Sequence, residues 1–145
     1  MANNKVLILS RYGHTRLEYF FRENRYLVFS IGHARRDEVL RDEVLSKVQD
    51  QKPSLVFLDD HFETPMTSWD LVRLIKEGSP QSKVFALLDS KDERTLDTVA
   101  KMGSDGYFIK PLGEIDLLKL IQTSGLLKTL NNCKRNFNVF RKILL

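Results

Sequence analysis

At 145 residues, 42% hydrophobic and 29% charged, the chain suits a single soluble globular domain; no apolar run approaches the ~20 residues of a membrane span, and the run 6–9 is too short for a signal-peptide core, so a cytoplasmic location is expected. Cys133 is the only cysteine, which excludes an internal disulfide, and the three scattered histidines beside it lack zinc-ligand spacing. The net charge of +4 is uneven: residues 117–145 carry six Lys and Arg and no acid, leaving 17 basic against 19 acidic residues in 1–116, so the basic character belongs to a tail.

In chain order, Lys5-Val6-Leu7-Ile8-Leu9 reads as a strand buried on both faces. Leu17, Phe20 and Phe21, spaced i, i+3, i+4, predict a helix over 13–25. The run 26–31 reads as a second strand stopped at Gly32. A helix is predicted over 34–50, with Leu40, Val44 and Val48 on one face. It contains the tandem Arg36-Asp37-Glu38-Val39-Leu40 and Arg41-Asp42-Glu43-Val44-Leu45, and two copies are too few for a repeat architecture. Pro53 restarts the chain into a strand that closes on a carboxylate, Ser54-Leu55-Val56-Phe57-Leu58-Asp59, followed by a polar loop through Pro65. Leu71, Leu74 and Ile75 mark a third helix with Ser68 as its expected N-cap and Trp69 as a packing residue at its start. Residues 83–88 form a fourth strand, and Leu96, Val99 and Ala100 a fourth helix ended by Gly103. Tyr107-Phe108-Ile109 is a fifth strand closed by Lys110-Pro111, and Leu117, Leu118 and Ile121 begin a fifth helix that extends towards Leu130.

Strand-then-helix alternation implies an α/β fold with a doubly wound parallel sheet and right-handed crossovers. Five strands favour the flavodoxin-like (βα)5 order 2-1-3-4-5, whose ligand edge lies at the C-terminal ends of strands 1 and 3. Asp59 and Lys110 close two of those strands, so the two groups are expected to meet. The segment Ser10-Arg11-Tyr12-Gly13-His14-Thr15 has no GxGxxG pattern, which speaks against dinucleotide binding.

Residues 53–59, the segment Gly103-Ser104-Asp105-Gly106-Tyr107-Phe108-Ile109-Lys110-Pro111, and Tyr107 placed three residues before Lys110 resemble a bacterial response-regulator receiver domain of the CheY-like kind. The resemblance covers residues 5 to about 126, which implies a receiver-like domain over 1–126 and leaves 127–145 as a basic, apolar C-terminal extension. It implies Asp59 as the phospho-acceptor position, Lys110 as the phosphoryl-contacting lysine and Tyr107 as the switch aromatic. The family places two adjacent acids after strand 1 to hold Mg2+; here the matching residues are Ser10 and Arg11. A guanidinium has no lone pair to offer a metal and repels a dication. Leu88 stands where the family has a Ser or Thr that touches the phosphoryl group. Arg11 is therefore expected to fill the site by pairing with Asp59 or Asp60, with Lys110 as a second cation that lowers the Asp59 pKa. His61, a lone loop histidine, is expected to be solvated.

These residues describe an atypical, degenerate receiver: a non-enzymatic signalling module that works by protein contact, without a cofactor and without Mg2+-dependent phosphorylation. Two alternatives stay open. One is a phospho-accepting two-component receiver that uses Mg2+ and is modified on Asp59 by a histidine kinase. The other is a flavodoxin-like domain that binds a small anion through Arg11 and Lys110. The expected partner is a signalling protein, with homodimerisation through helix 4, strand 5 and helix 5 as a further possibility. In the tail, Phe137, Phe140 and Leu144 share a helix face beside Lys134, Arg135, Arg141 and Lys142. Docking on the domain or self-association is expected of it ahead of contact with DNA or a membrane.

Overall fold

The computed structural model describes residues 4–11, 13–32, 37–62 and 69–123. The polypeptide divides into two compact units, Met1–Lys110 and Pro111–Leu145. The first contains β1 (Lys5–Leu9), α1 (Thr15–Glu23), β2 (Leu27–Ile31), α2 (Asp37–Gln51), β3 (Leu55–Asp59), α3 (Asp70–Gly78), β4 (Lys83–Leu88), α4 (Glu93–Lys101) and β5 (Gly106–Ile109). The second contains α5 (Glu114–Thr123), which buries Leu117, Leu118 and Leu120 and exposes Ile115. Among the described residues, no helix is long and apolar enough to cross a membrane.

All strand pairs are parallel and the sheet order is β2-β1-β3-β4-β5, the order expected from the alternation. The central strands are apolar at nearly every position because both sheet faces are covered. On one face, Leu7, Leu9, Val56, Leu58, Val84, Ala86 and Leu88 share a cluster with Leu40, Val44 and Val48 of α2, Leu71, Val72 and Ile75 of α3, and Val99 of α4. On the opposite face, Phe57 lies 5.8 Å from Phe85 and 6.3 Å from Phe108, ring centre to ring centre, and Phe21 of α1 sits 5.6 Å from Phe57. Tilted contacts at these spacings suit aromatic quadrupoles better than a flat sandwich.

The element ends differ from the periodicity reading where the backbone intervenes. The helix expected over 13–25 spans only Thr15–Glu23, because Gly13 and Arg25 both have positive φ, at 79° and 66°. The α3 N-cap is Trp69, at φ 67°, in place of Ser68, which lies outside the described residues. A left-handed backbone at a bulky residue is disfavoured, and here the indole is buried in the core cluster. Gly103, at φ +97°, ends α4 in the left-handed conformation expected of it. The expected α5 extension over 124–130, the boundary at 126 and the whole tail lie outside the described residues.

Gly32 fixes the shape of the ligand edge. A Cβ there would stand 2.4 Å from the Ser10 carbonyl oxygen, so only glycine lets the exit of β2 pass the exit of β1. The Ser10 N–H donates to the Ile31 carbonyl at 3.2 Å, tying the same two exits together.

Candidate functional site

Side chains alternate across a strand. Phe57, Phe85 and Phe108 point to the α1 face, so continuing the alternation places Asp59, Asp89 and Lys110 on that face at the C-terminal edge. Ser10 follows Ile8 in the same way, and Ile8 is the register partner of Phe57. α1 begins just beyond Ser10, which brings His14 to the same place. Four separate connections thus deliver their polar groups to one spot.

Asp59 is its centre and is only 5% exposed. One carboxylate oxygen, Oδ1, accepts from Lys110 Nζ at 2.9 Å and from the His61 backbone N–H at 3.0 Å. The other, Oδ2, lies 2.6 Å from His14 Nε2 and 3.5 Å from the Ser10 hydroxyl, which donates to it. A carboxylate only accepts, so His14 carries its proton on Nε2. Burial alone would push the Asp59 carboxyl up. The bonds from His14, the His61 N–H and Lys110, with the ammonium charge, outweigh burial and hold it well below the usual carboxylate range.

Lys110 Nζ also donates to Asp60 Oδ1 at 2.9 Å and lies 2.8 Å from Asp89 Oδ1. Burial would lower the lysine pKa, but the bonds to Asp60, Asp89 and Asp59 raise it above the ordinary value. Asp60 Oδ2 in turn accepts the Asp89 backbone N–H at 2.8 Å, which clips the end of β3 to the end of β4. His61 is not merely solvated: its Nε2 bonds Asp89 Oδ2, and Asp60 Oδ1 lies 3.6 Å away. That bond to Asp89 raises the His61 pKa, while the bonds from Lys110 and His61 lower that of Asp89. Both side chains are about half exposed, at 46% and 54%, so this outer pair is screened by water in a way the Asp59 contacts are not.

Of the residues singled out in the sequence, Asp59, Asp60, Lys110 and Ser10 come together. Arg11 follows Ser10 at the exit of β1 and is half-buried. Leu88 belongs to the core cluster on the α2–α4 face, and its carbonyl accepts the Lys110 N–H at 2.8 Å. The polar group at the end of β4 is instead its neighbour Asp89. Tyr107 is 39% exposed on β5, an edge strand, paired with Ala86. His14 and Asp89 were not anticipated. Extending the alternation one residue beyond β4 would have marked Asp89; the His14 contact depends on a loop path with no local signature.

No protein-family model matches the sequence, and no curated protein sequence matches it. Solved structures do match over most of its length. Chemotaxis protein CheY4 of Vibrio cholerae is 19% identical, with a TM-score of 0.68 over 85% of this chain and 99% of that one. A two-component response regulator from Clostridium difficile is 20% identical, with a TM-score of 0.68 over 83% and 94% of the two chains. The receiver domain of a sensor histidine kinase from Pseudomonas aeruginosa, which has a magnesium ion coordinated in its active-site cleft, is 17% identical, with a TM-score of 0.66 over 84% and 97%. The fold of this chain is that of the CheY-like response-regulator receiver domains of two-component signalling.

Proposed function

We propose that the chain is an atypical receiver, a cytoplasmic, non-enzymatic signalling module that acts by protein contact and does not accept a phosphoryl group on Asp59 through Mg2+. The observation that carries this reading is the state of the Asp59 carboxylate. Both oxygens are already engaged by protein donors, Oδ1 by Lys110 and the His61 N–H, Oδ2 by His14 and Ser10. Phosphoryl transfer would need one oxygen free to attack phosphorus, with cations neutralising the equatorial oxygens. Ser10 and Arg11 stand where the receiver resemblance puts metal-binding acids, and the Arg11 charge opposes a dication there. Leu88 offers no hydroxyl for a phosphoryl oxygen.

The small-anion reading is disfavoured by charge: Lys110 is already surrounded by three carboxylates. The contact surface suggested for a signalling partner is the β5 edge with its exposed Tyr107. Incubation with a small acyl phosphate and Mg2+, followed by intact-mass measurement, tests the reading. The expected result is no gain of a phosphoryl group. Near-stoichiometric, Mg2+-dependent labelling that disappears in Asp59→Asn would establish the phospho-accepting alternative, with a histidine kinase as the partner.

A further inference from the structure

Lys110 is held by more carboxylate than one ion pair requires. Its Nζ lies 2.9 Å from Asp59 Oδ1, 2.9 Å from Asp60 Oδ1 and 2.8 Å from Asp89 Oδ1. An ammonium has three N–H donors, and each carboxylate here takes one. The acceptors come from the end of β3, the turn after it and the turn after β4, so the lysine stitches two neighbouring strand exits together. Three carboxylate oxygens converging on one point is an arrangement that suits a hard cation. In this chain the cation at that point is covalently its own.

The resident metal implied by the receiver resemblance does not fit the groups present. Ser10 and Arg11 replace the two acids that would ligate it, and the Asp59 oxygen on that side is bonded to His14 at 2.6 Å. The carboxylate surplus lies on the other side of Asp59, towards β4, where Lys110 sits. There, Asp60, His61 and Asp89 bring their ligand atoms within 4.8 Å of one another.

We propose that Lys110 is the built-in cation of this site: its ammonium holds Asp59, Asp60 and Asp89 together, keeps divalent metal out, and on removal leaves a carboxylate trio that takes a divalent cation in its place. The charge balance supports this. Three carboxylate oxygens lie within 2.9 Å of one ammonium in the natural chain, and without it those three carboxylates lose the cation they share. A dication restores the balance, and the imidazole of His61 beside Asp60 and Asp89 adds a nitrogen donor that favours Mn2+ over Mg2+. The inference concerns the site of the proposed function but not its phosphorylation, so metal binding and Asp59 labelling are separate readouts.

The test measures thermal unfolding of the full chain, Lys110→Met and Lys110→Met/Asp89→Asn, with Mg2+, Ca2+ or Mn2+ at millimolar concentration, against a chelator control at equal ionic strength. The expected result is no metal-dependent shift in the natural chain, a rise of several degrees in Lys110→Met, and loss of that rise in the double variant. Lys110→Gln, one bond shorter but still able to donate hydrogen bonds, serves if the methionine variant unfolds, and folding recovered by added metal in either variant supports the proposal. A natural chain stabilised by the metal as much as the variant overturns it. So do variants that gain nothing, or that stay unfolded with metal present.

Discussion

Replacing His14 by alanine isolates the contact that most distinguishes the buried carboxylate. The imidazole lies 2.6 Å from Asp59 Oδ2, with only 19% and 7% of the two side chains exposed. Among the described residues the His14 side chain makes no capping bond to α1, so its removal costs the helix nothing directly. Hydrogen bonds to charged groups contribute about 1.5–3 kcal/mol, and a buried acceptor left short of a donor loses that and is only partly rescued by water. His14→Ala is therefore expected to lower stability by about 2 kcal/mol, a midpoint shift of roughly 1 M in urea for an m-value of about 2 kcal/mol/M. The double-mutant cycle with Asp59→Asn makes the test specific. In that background the asparagine oxygen can keep Lys110 and the His61 N–H, while its amide N–H faces His14, which accepts after moving its proton to Nδ1. The neutral pair is weaker, so His14→Ala should then cost under about 1 kcal/mol, leaving a coupling of at least ~1 kcal/mol. Equal losses in both backgrounds, measured by urea unfolding followed by circular dichroism, would refute the reasoning.

The other expectations concern acid and sterics. The folded-state carboxyl of Asp59 titrates below its unfolded value of about 3.9, so its contribution is fully present at neutral pH and is lost as pH falls from about 4, where the unfolded chain takes the proton first. Stability measured against pH should therefore drop more gently at the acid end in Asp59→Asn than in the natural chain; superimposable acid limbs would contradict the pKa assignment. Gly32→Ala should lose about 1–3 kcal/mol, because the new methyl meets the Ser10 carbonyl at 2.4 Å and backbone there has nowhere to move. An alanine variant within about 0.5 kcal/mol of the natural chain would mean that the two strand exits are not locked as described.

The sheet was legible because its signal is local and repeated. Five aliphatic or aromatic runs separated by helical segments determine a parallel α/β order with little ambiguity, and the closing residues Asp59 and Lys110 follow from where those runs stop. Boundaries were less legible, since Trp69 and Arg25 adopt left-handed backbone that neither residue type advertises. The site was half legible. Period two carries Asp59 and Lys110, and extended one residue past the end of β4 it carries Asp89 as well. His14 was hidden for a different reason: the β1–α1 loop is set by the tight passage at Gly32 and by the start of α1, both tertiary facts. The His61–Asp89 contact had no local signal either, because a loop histidine shows no partner until β4 delivers Asp89 opposite it.

The aromatic stack beneath the site has a consequence for how substitutions combine. Phe57 precedes Asp59 by two residues and Phe108 precedes Lys110 by two, and the two rings touch through a 6.3 Å contact, with Phe85 bridging them at 5.8 and 5.6 Å. The rings are thus a hard floor on which the charged groups stand. Trimming one ring lets a strand end settle, and the anchored charge moves with it, so a lysine–carboxylate distance changes without any polar residue being altered. Packing and ionic effects in this domain are consequently one mechanical system. Energies from ring variants and from charge variants will not add, and the size of the discrepancy measures how stiffly the floor carries the charges above it.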